Sequence, residues 1–119
     1  MIDLKAELNP MRMLLSRREP VELMIEMNNN TNKSQMVSLE IYSGEMLAFD
    51  KGGRTGIETK KIIDFKAGER QRDYYHLYPR PNANSGSSQT ITLVINEHFN
   101  NSFQYVQSKK TKELTLRID

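Results

Sequence analysis

The sequence predicts an all-β protein, a sandwich of seven or eight short and mostly antiparallel strands. Three observations predict it. Apolar residues recur at every second position in several short runs, the spacing that places them on one face of a strand. Clusters of Asn, Gly, Pro and Ser separate those runs and favour turns. No stretch carries the apolar spacing of a long amphipathic helix. Many short strands of this kind suit two sheets that bury facing apolar rows, and their uneven lengths and long loops favour a sandwich over a barrel.

Ile2, Leu4, Ala6 and Leu8 alternate with Asp3, Lys5 and Glu7, predicting a first strand that Asn9-Pro10 stops. Residues 11–18 fit either a short helical turn or a second edge segment. Val21, Leu23, Ile25 and Met27 then alternate with Glu22, Met24, Glu26 and Asn28. Val37, Leu39 and Ile41 alternate with Ser38, Glu40 and Tyr42, and the Asn-rich break between the runs predicts that they form a β-hairpin. Residues 46–50 predict a short strand and 51–56 a flexible loop. Ile57, Thr59, Lys61, Ile63 and Phe65 continue the two-residue period, although Ile62 makes the other face partly apolar. A tight turn at 66–69, where Gly68 can take a positive φ without strain, launches a strand over 71–78. Residues 79–88 read as exposed loop. A strand at 89–96 buries Ile91, Leu93 and Ile95, and the last strand carries Leu114, Leu116 and Ile118.

At 119 residues the chain is one domain, 1–119, long enough to bury a core without staples. It contains no cysteine, which excludes disulfides and Cys-based zinc or redox sites. The net charge of +2 is a small difference between 17 basic and 15 acidic residues, and each small basic group has an acidic residue nearby. A nucleic-acid surface needs its basic excess gathered on one face, so no nucleic-acid partner is expected. There is no basic-then-apolar leader and no run of about 20 apolar residues, so no membrane partner is expected. Read as a whole gene product, the chain is expected to be cytoplasmic. Read as a fragment of a longer secreted protein, it leaves the compartment open.

Glu19-Pro20-Val21 enters a strand, Asn28-Asn29-Asn30-Thr31-Asn32 makes an Asn-rich turn, and Gly68-Glu69 launches an alternating strand that ends at Leu77-Tyr78-Pro79. This order of features resembles the bacterial and archaeal CARDB-like modules and related immunoglobulin-like β-sandwiches, over most of residues 19–96. The resemblance implies binding, adhesion or spacing within larger proteins, and it supplies no catalytic residues. One position departs from the pattern. Asp73 shares the core-side phase with Tyr75 and Leu77, where an aliphatic residue is usual, so either Asp73 lies at the sheet edge in water or the register is displaced by one.

No motif calls for a cofactor, a metal or a catalytic nucleophile. His76 and His98, the only histidines, lie outside any HxH or HExxH spacing and read as surface residues. Gly52-Gly53-Arg54-Thr55-Gly56 lacks the Lys-Ser/Thr and following helix of a phosphate loop. Asp50, Asp64 and Asp73 lack the dense spacing of a calcium loop. Asn29-Asn30-Thr31, Asn32-Lys33-Ser34 and Asn100-Asn101-Ser102 match the glycosylation sequon, as an Asn-rich chain will by chance.

The remaining feature is a surface. If Tyr75 and Leu77 point inward, Arg72, Tyr74, His76 and Tyr78 form an outward row, with Arg80 beside it. Tyr and Arg offer large contact area with a polar handle, which suits a protein partner. Ordinary cross-strand packing, or cover by a neighbouring loop, explains the same residues without function. The expectation is therefore a non-enzymatic binding or structural module that meets another protein, or a second copy through an exposed edge strand. An intracellular proteinase inhibitor and a carbohydrate- or ligand-binding sandwich are the alternatives.

Overall fold

The computed structural model describes residues 2–99 and 102–119. Nine strands fall in two sheets, and no helix occurs among the described residues. Seven strands are long: β1 (Ile2–Asn9), β3 (Val21–Asn29), β4 (Gln35–Tyr42), β6 (Ile57–Phe65), β7 (Arg70–Pro79), β8 (Ser87–Phe99) and β9 (Ser102–Ile118). β2 (Arg12–Met13) and β5 (Leu47–Ala48) are two-residue pieces. One sheet has the order β1-β3-β7-β5 and the other β2-β9-β8-β4-β6. All pairings are antiparallel except β2 with β9.

This is an immunoglobulin-like β-sandwich. The first, second and fifth of its long strands pair in one sheet, and the seventh, sixth, third and fourth lie side by side in that order in the other. The alternating rows meet between the sheets. Leu23, Ile25 and Met27 of β3 face a core shared with Val37, Leu39 and Ile41 of β4 and Ile91, Leu93 and Ile95 of β8, all of them buried. Leu116 and Ile118 close the same core, so the rows of β3, β4, β8 and β9 lie where their alternation places them.

The two runs at 21–41 do not form a hairpin. β3 pairs with β1 and β7, whereas β4 pairs with β6 and β8, so the connection crosses from one sheet to the other. Alternation reports that a strand has one buried face. It is the same for strands lying side by side and for strands facing each other across a core. Asn29 holds the crossing in place. Its side chain is fully buried, Nδ2 donates to the Phe65 carbonyl at 2.8 Å and the Lys33 carbonyl at 3.0 Å, and Oδ1 accepts from Thr31 N at 3.0 Å and Thr31 Oγ1 at 2.6 Å. Its backbone bonds Glu69 O and Gly68 N, so the crossing and the 66–69 turn are one unit. Gly68 has φ +75, as that turn requires.

β6 departs from its expected phase. Ile57 and Ile63 are 55% and 73% exposed, while Ile62 packs on the core and Phe65 is fully buried. The pairing with β4 shifts between Gln35 and Val37, where the partners jump from Phe65 to Ile62. This bulge reverses which face the strand buries, so Ile63 and Phe65 point opposite ways despite their two-residue spacing.

Residues 97–99 and 102–108 belong to a long hairpin of β8 and β9 that carries Phe99, Tyr105 and Val106 exposed near its end. Polar residues on both faces hide such a strand from an alternation test. The segment at 11–18 combines both expected forms: the edge strand β2, then a turn closed by Arg18 N to Leu14 O. The 51–56 loop is folded around Asp50, whose Oδ1 accepts from Arg54 N at 2.9 Å and Thr55 N at 2.6 Å. Those bonds, Thr55 first, hold the Asp50 carboxyl below its ordinary pKa.

Candidate functional site

β7 carries the expected row on the outer face of its sheet. Arg72, Tyr74 and His76 are exposed and Tyr78 is half-buried. Asp73, Tyr75 and Leu77 point the other way, so the register is the one the alternation gives. Across the face, Arg70, Arg72, Tyr74 and His76 stand opposite Asn28, Glu26, Met24 and Glu22 of β3. Lys5, Glu7 and Asn9 of β1 continue three of these rows.

Register decides the electrostatics. Glu26 is only 7% exposed, and Arg72 Nη2 lies 2.6 Å from its Oε1. The Arg72 hydrogen bond, opposed by burial and helped by Arg70 and Lys5, holds the Glu26 carboxyl below its ordinary pKa. Arg70 Nε donates to Asn28 Oδ1 at 3.1 Å. Both arginines are therefore engaged within the sheet. The unclaimed surface is Tyr74, 54% exposed above Met24, followed by the His76 and Tyr78 rings with centroids 6.4 Å apart.

Arg80 is set apart from the row. It is half-buried, and its Nε donates to the Leu47 carbonyl at 2.7 Å. Arg80 N bonds Met46 O as well, so this residue fastens the β5 segment against the end of β7. A Cβ on Gly56 would stand 2.8 Å from Arg80 Nη2, so glycine there lets the guanidinium through. The structure thus brings Tyr74, His76 and Tyr78 together, ties Arg72 to Glu26, and uses Arg80 as a loop anchor.

A second polar cluster lies on the outer face of the other sheet. Ser38 Oγ is 2.7 Å from His98 Nε2, and His98 Nδ1 is 3.0 Å from the Tyr105 carbonyl. Asn96 reaches Ser38 Oγ at 3.4 Å and Glu40 at 3.5 Å, and Tyr42 bonds Glu40. That bond raises the Tyr42 phenol above its ordinary pKa. His98 is buried, contrary to its expected surface position, whereas His76 is exposed as expected. Residue spacing gives no sign of this cluster, because the Ser38–His98 contact spans 60 residues. A nucleophile and base need an open approach and oxyanion donors as well as a short contact. Ser38 and His98 are each 6% exposed on paired strands, and the contact fastens the base of the β8–β9 hairpin.

Among the described residues no three His, Cys, Asp or Glu side chains gather in a metal-binding group. Asp50 is taken by backbone N–H groups and Asp73 by Lys60. Asn29 of the first sequon is buried, which closes it to modification in the folded chain, and Asn100 lies outside the described residues. No helix among the described residues is long and apolar enough to cross a membrane.

No protein-family model matches the chain, and no curated protein sequence matches it. Solved structures do resemble it. A FixG-related protein from Vibrio parahaemolyticus superposes with TM-score 0.63 at 13% identity, over 99% of this chain and 96% of that one. BcpA, the major pilin subunit of Bacillus cereus, gives TM-score 0.71 at 11% identity over 99% of this chain, which spans 40% of the pilin. The putative ApaA protein from Bordetella pertussis gives TM-score 0.53 at 10% identity, over 99% of this chain and 92% of that one. At these identities the likeness is one of fold, the β-sandwich.

Proposed function

We propose that this chain is a non-enzymatic module that binds another protein through the outward row of β7. One observation carries the reading: Tyr74 stands 54% exposed over Met24, on a face whose nearby arginines are already engaged. A large amphipathic ring left uncovered among satisfied charges is the kind of group that anchors an interface. His76 and Tyr78 extend the surface along the strand, and the Glu26–Arg72 pair gives it a fixed polar margin.

The test compares the wild-type chain with Tyr74→Ala/His76→Ala in affinity capture from cells of the source organism, quantified by mass spectrometry. Loss of a captured protein in the variant, with an unchanged thermal midpoint, supports the reading. Equal capture by both chains overturns it. Running the same pair against a serine-proteinase panel and a glycan array distinguishes inhibition and sugar binding from a general protein partner.

A further inference from the structure

We infer that the opposite side of the sandwich, between β1 and β9, is a strand-addition groove for an acidic, extended segment of a second protein. Among the described residues β1 pairs only with β3. β9 pairs with β8 along its length and with β2 only at Arg117 and Ile118. The outer edges of both strands are therefore open among the described residues, over Ile2–Asn9 and over most of Ser102–Ile118. An open edge offers unpaired N–H and C=O groups at the spacing another strand needs.

Between the edges lie two depressions with apolar floors. Ile2 and Ile95 floor one beside Ser108 and Lys110, and Ala6, Leu8 and Leu114 floor the other. Lys112 falls between them on the same inward phase as Leu114, Leu116 and Ile118. With strand residues advancing about 3.3 Å each, the depressions suit side chains some four residues apart on an added strand.

Charge selects the occupant. Lys109, Lys110 and Lys112 cluster within four residues of the β9 edge, and none of them forms an ion pair among the described residues. Glu113 is the one carboxylate on β9, with Glu7 and Glu97 at the margins of the groove. Inward lysines on an edge oppose pairing with a second copy, because antiparallel β9 strands would set like charges near one another. A strand with a carboxylate facing Lys110 and Lys112 meets no such repulsion. The matching segment has an apolar residue, a carboxylate two positions on, and a second apolar residue two positions after that.

The experiment uses the full chain and end-blocked ten-residue peptides built on that pattern, with fluorescence anisotropy for affinity and NMR amide exchange for location. The acidic peptide is expected to bind, to slow exchange of backbone amides within 106–113, and to weaken at least tenfold with Lys110→Glu/Lys112→Glu. The milder Lys110→Gln/Lys112→Gln is the substitute if charge reversal lowers the thermal midpoint. Lys51→Glu/Lys66→Glu, exposed residues outside the groove with the same change in net charge, should alter affinity less than twofold. Equal binding of a peptide with Gln for Glu would overturn the inference. So would exchange protection confined to β7, self-association of the free chain through β9, or tighter binding of a single-stranded oligonucleotide than of the peptide. Tyr74→Ala should leave peptide binding intact, which keeps this groove and the β7 row separately testable.

Discussion

Lys60 Nζ lies 2.6 Å from Asp73 Oδ1, and this pair links the two sheets on the side of the sandwich where β6 is an edge strand and β7 is bordered only by the two-residue β5, at Tyr78 and Pro79. Asp73 occupies a core-side position because the charge that answers it comes from the opposite sheet. Neither expectation for Asp73 holds: it is mostly buried, and the register is correct. Its second oxygen, Oδ2, is buried with no hydrogen-bond partner among the described residues, so the pair is incompletely satisfied. Such pairs confer less stability than well-packed apolar groups, but losing one member strands the other. Lys60→Met is expected to cost about 2–3 kcal/mol by urea denaturation, and Lys60→Met/Asp73→Leu to recover most of it. The double variant should sediment as oligomers at concentrations where the wild type is monodisperse, because inward charges guard an open edge. Equal stability of the single and double variants would refute this account.

Asn29 supports a second prediction. Asn29→Ala removes donors from the Phe65 and Lys33 carbonyls and an acceptor from Thr31, all at a buried position. Unmet buried polar groups cost about 1–3 kcal/mol each, so a loss of about 3 kcal/mol is expected in chemical denaturation. Asn29→Asp places a carboxylate against the two carbonyls and should be more destabilising at pH 7 than at pH 4, where protonation restores one donor.

The Glu26–Arg72 pair gives a pH dependence of known sign. The folded-state pKa of Glu26 is lowered, chiefly by the Arg72 hydrogen bond. Its contribution to stability is then fully present above the unfolded glutamate value of about 4.3 and is lost as pH falls through the lower folded value. Urea midpoints measured from pH 5 to pH 2 should fall less steeply for Glu26→Gln than for the wild type. Parallel curves would mean that the pair contributes nothing.

The core rows and the 66–69 turn were legible because they depend on neighbours in sequence. Val21 to Met27 and Val37 to Ile41 lie buried as their alternation requires, and Gly68 takes its positive φ. The outward phase of Arg72, Tyr74 and His76 came from the same rule. What sequence alone concealed depends on distant partners. The sheet change between β3 and β4 is decided by pairings with β1, β7, β6 and β8. His98 is buried by Ser38 and by the Phe103 ring 5.1 Å away, and Arg72 is tied up by Glu26 from 46 residues away. The groove between β1 and β9 joins the two ends of the chain, so no local pattern announces it.

The bulge in β6 separates two apolar residues that alternation had treated alike. Phe65 is fully buried beside the Asn29 crossing, and Ile63, two residues earlier, is 73% exposed. Were the strand regular, the two side chains would share one face and their removal would cost comparable amounts. With the bulge, Phe65→Ala should destabilise by about 3–5 kcal/mol, the usual range for truncating a buried phenylalanine. Ile63→Ser should stay within about 0.5 kcal/mol of the wild type, as exposed positions do. Both values come from one denaturation series at fixed pH. A costly Ile63→Ser beside a tolerated Phe65→Ala would restore the regular strand and remove the bulge from the fold.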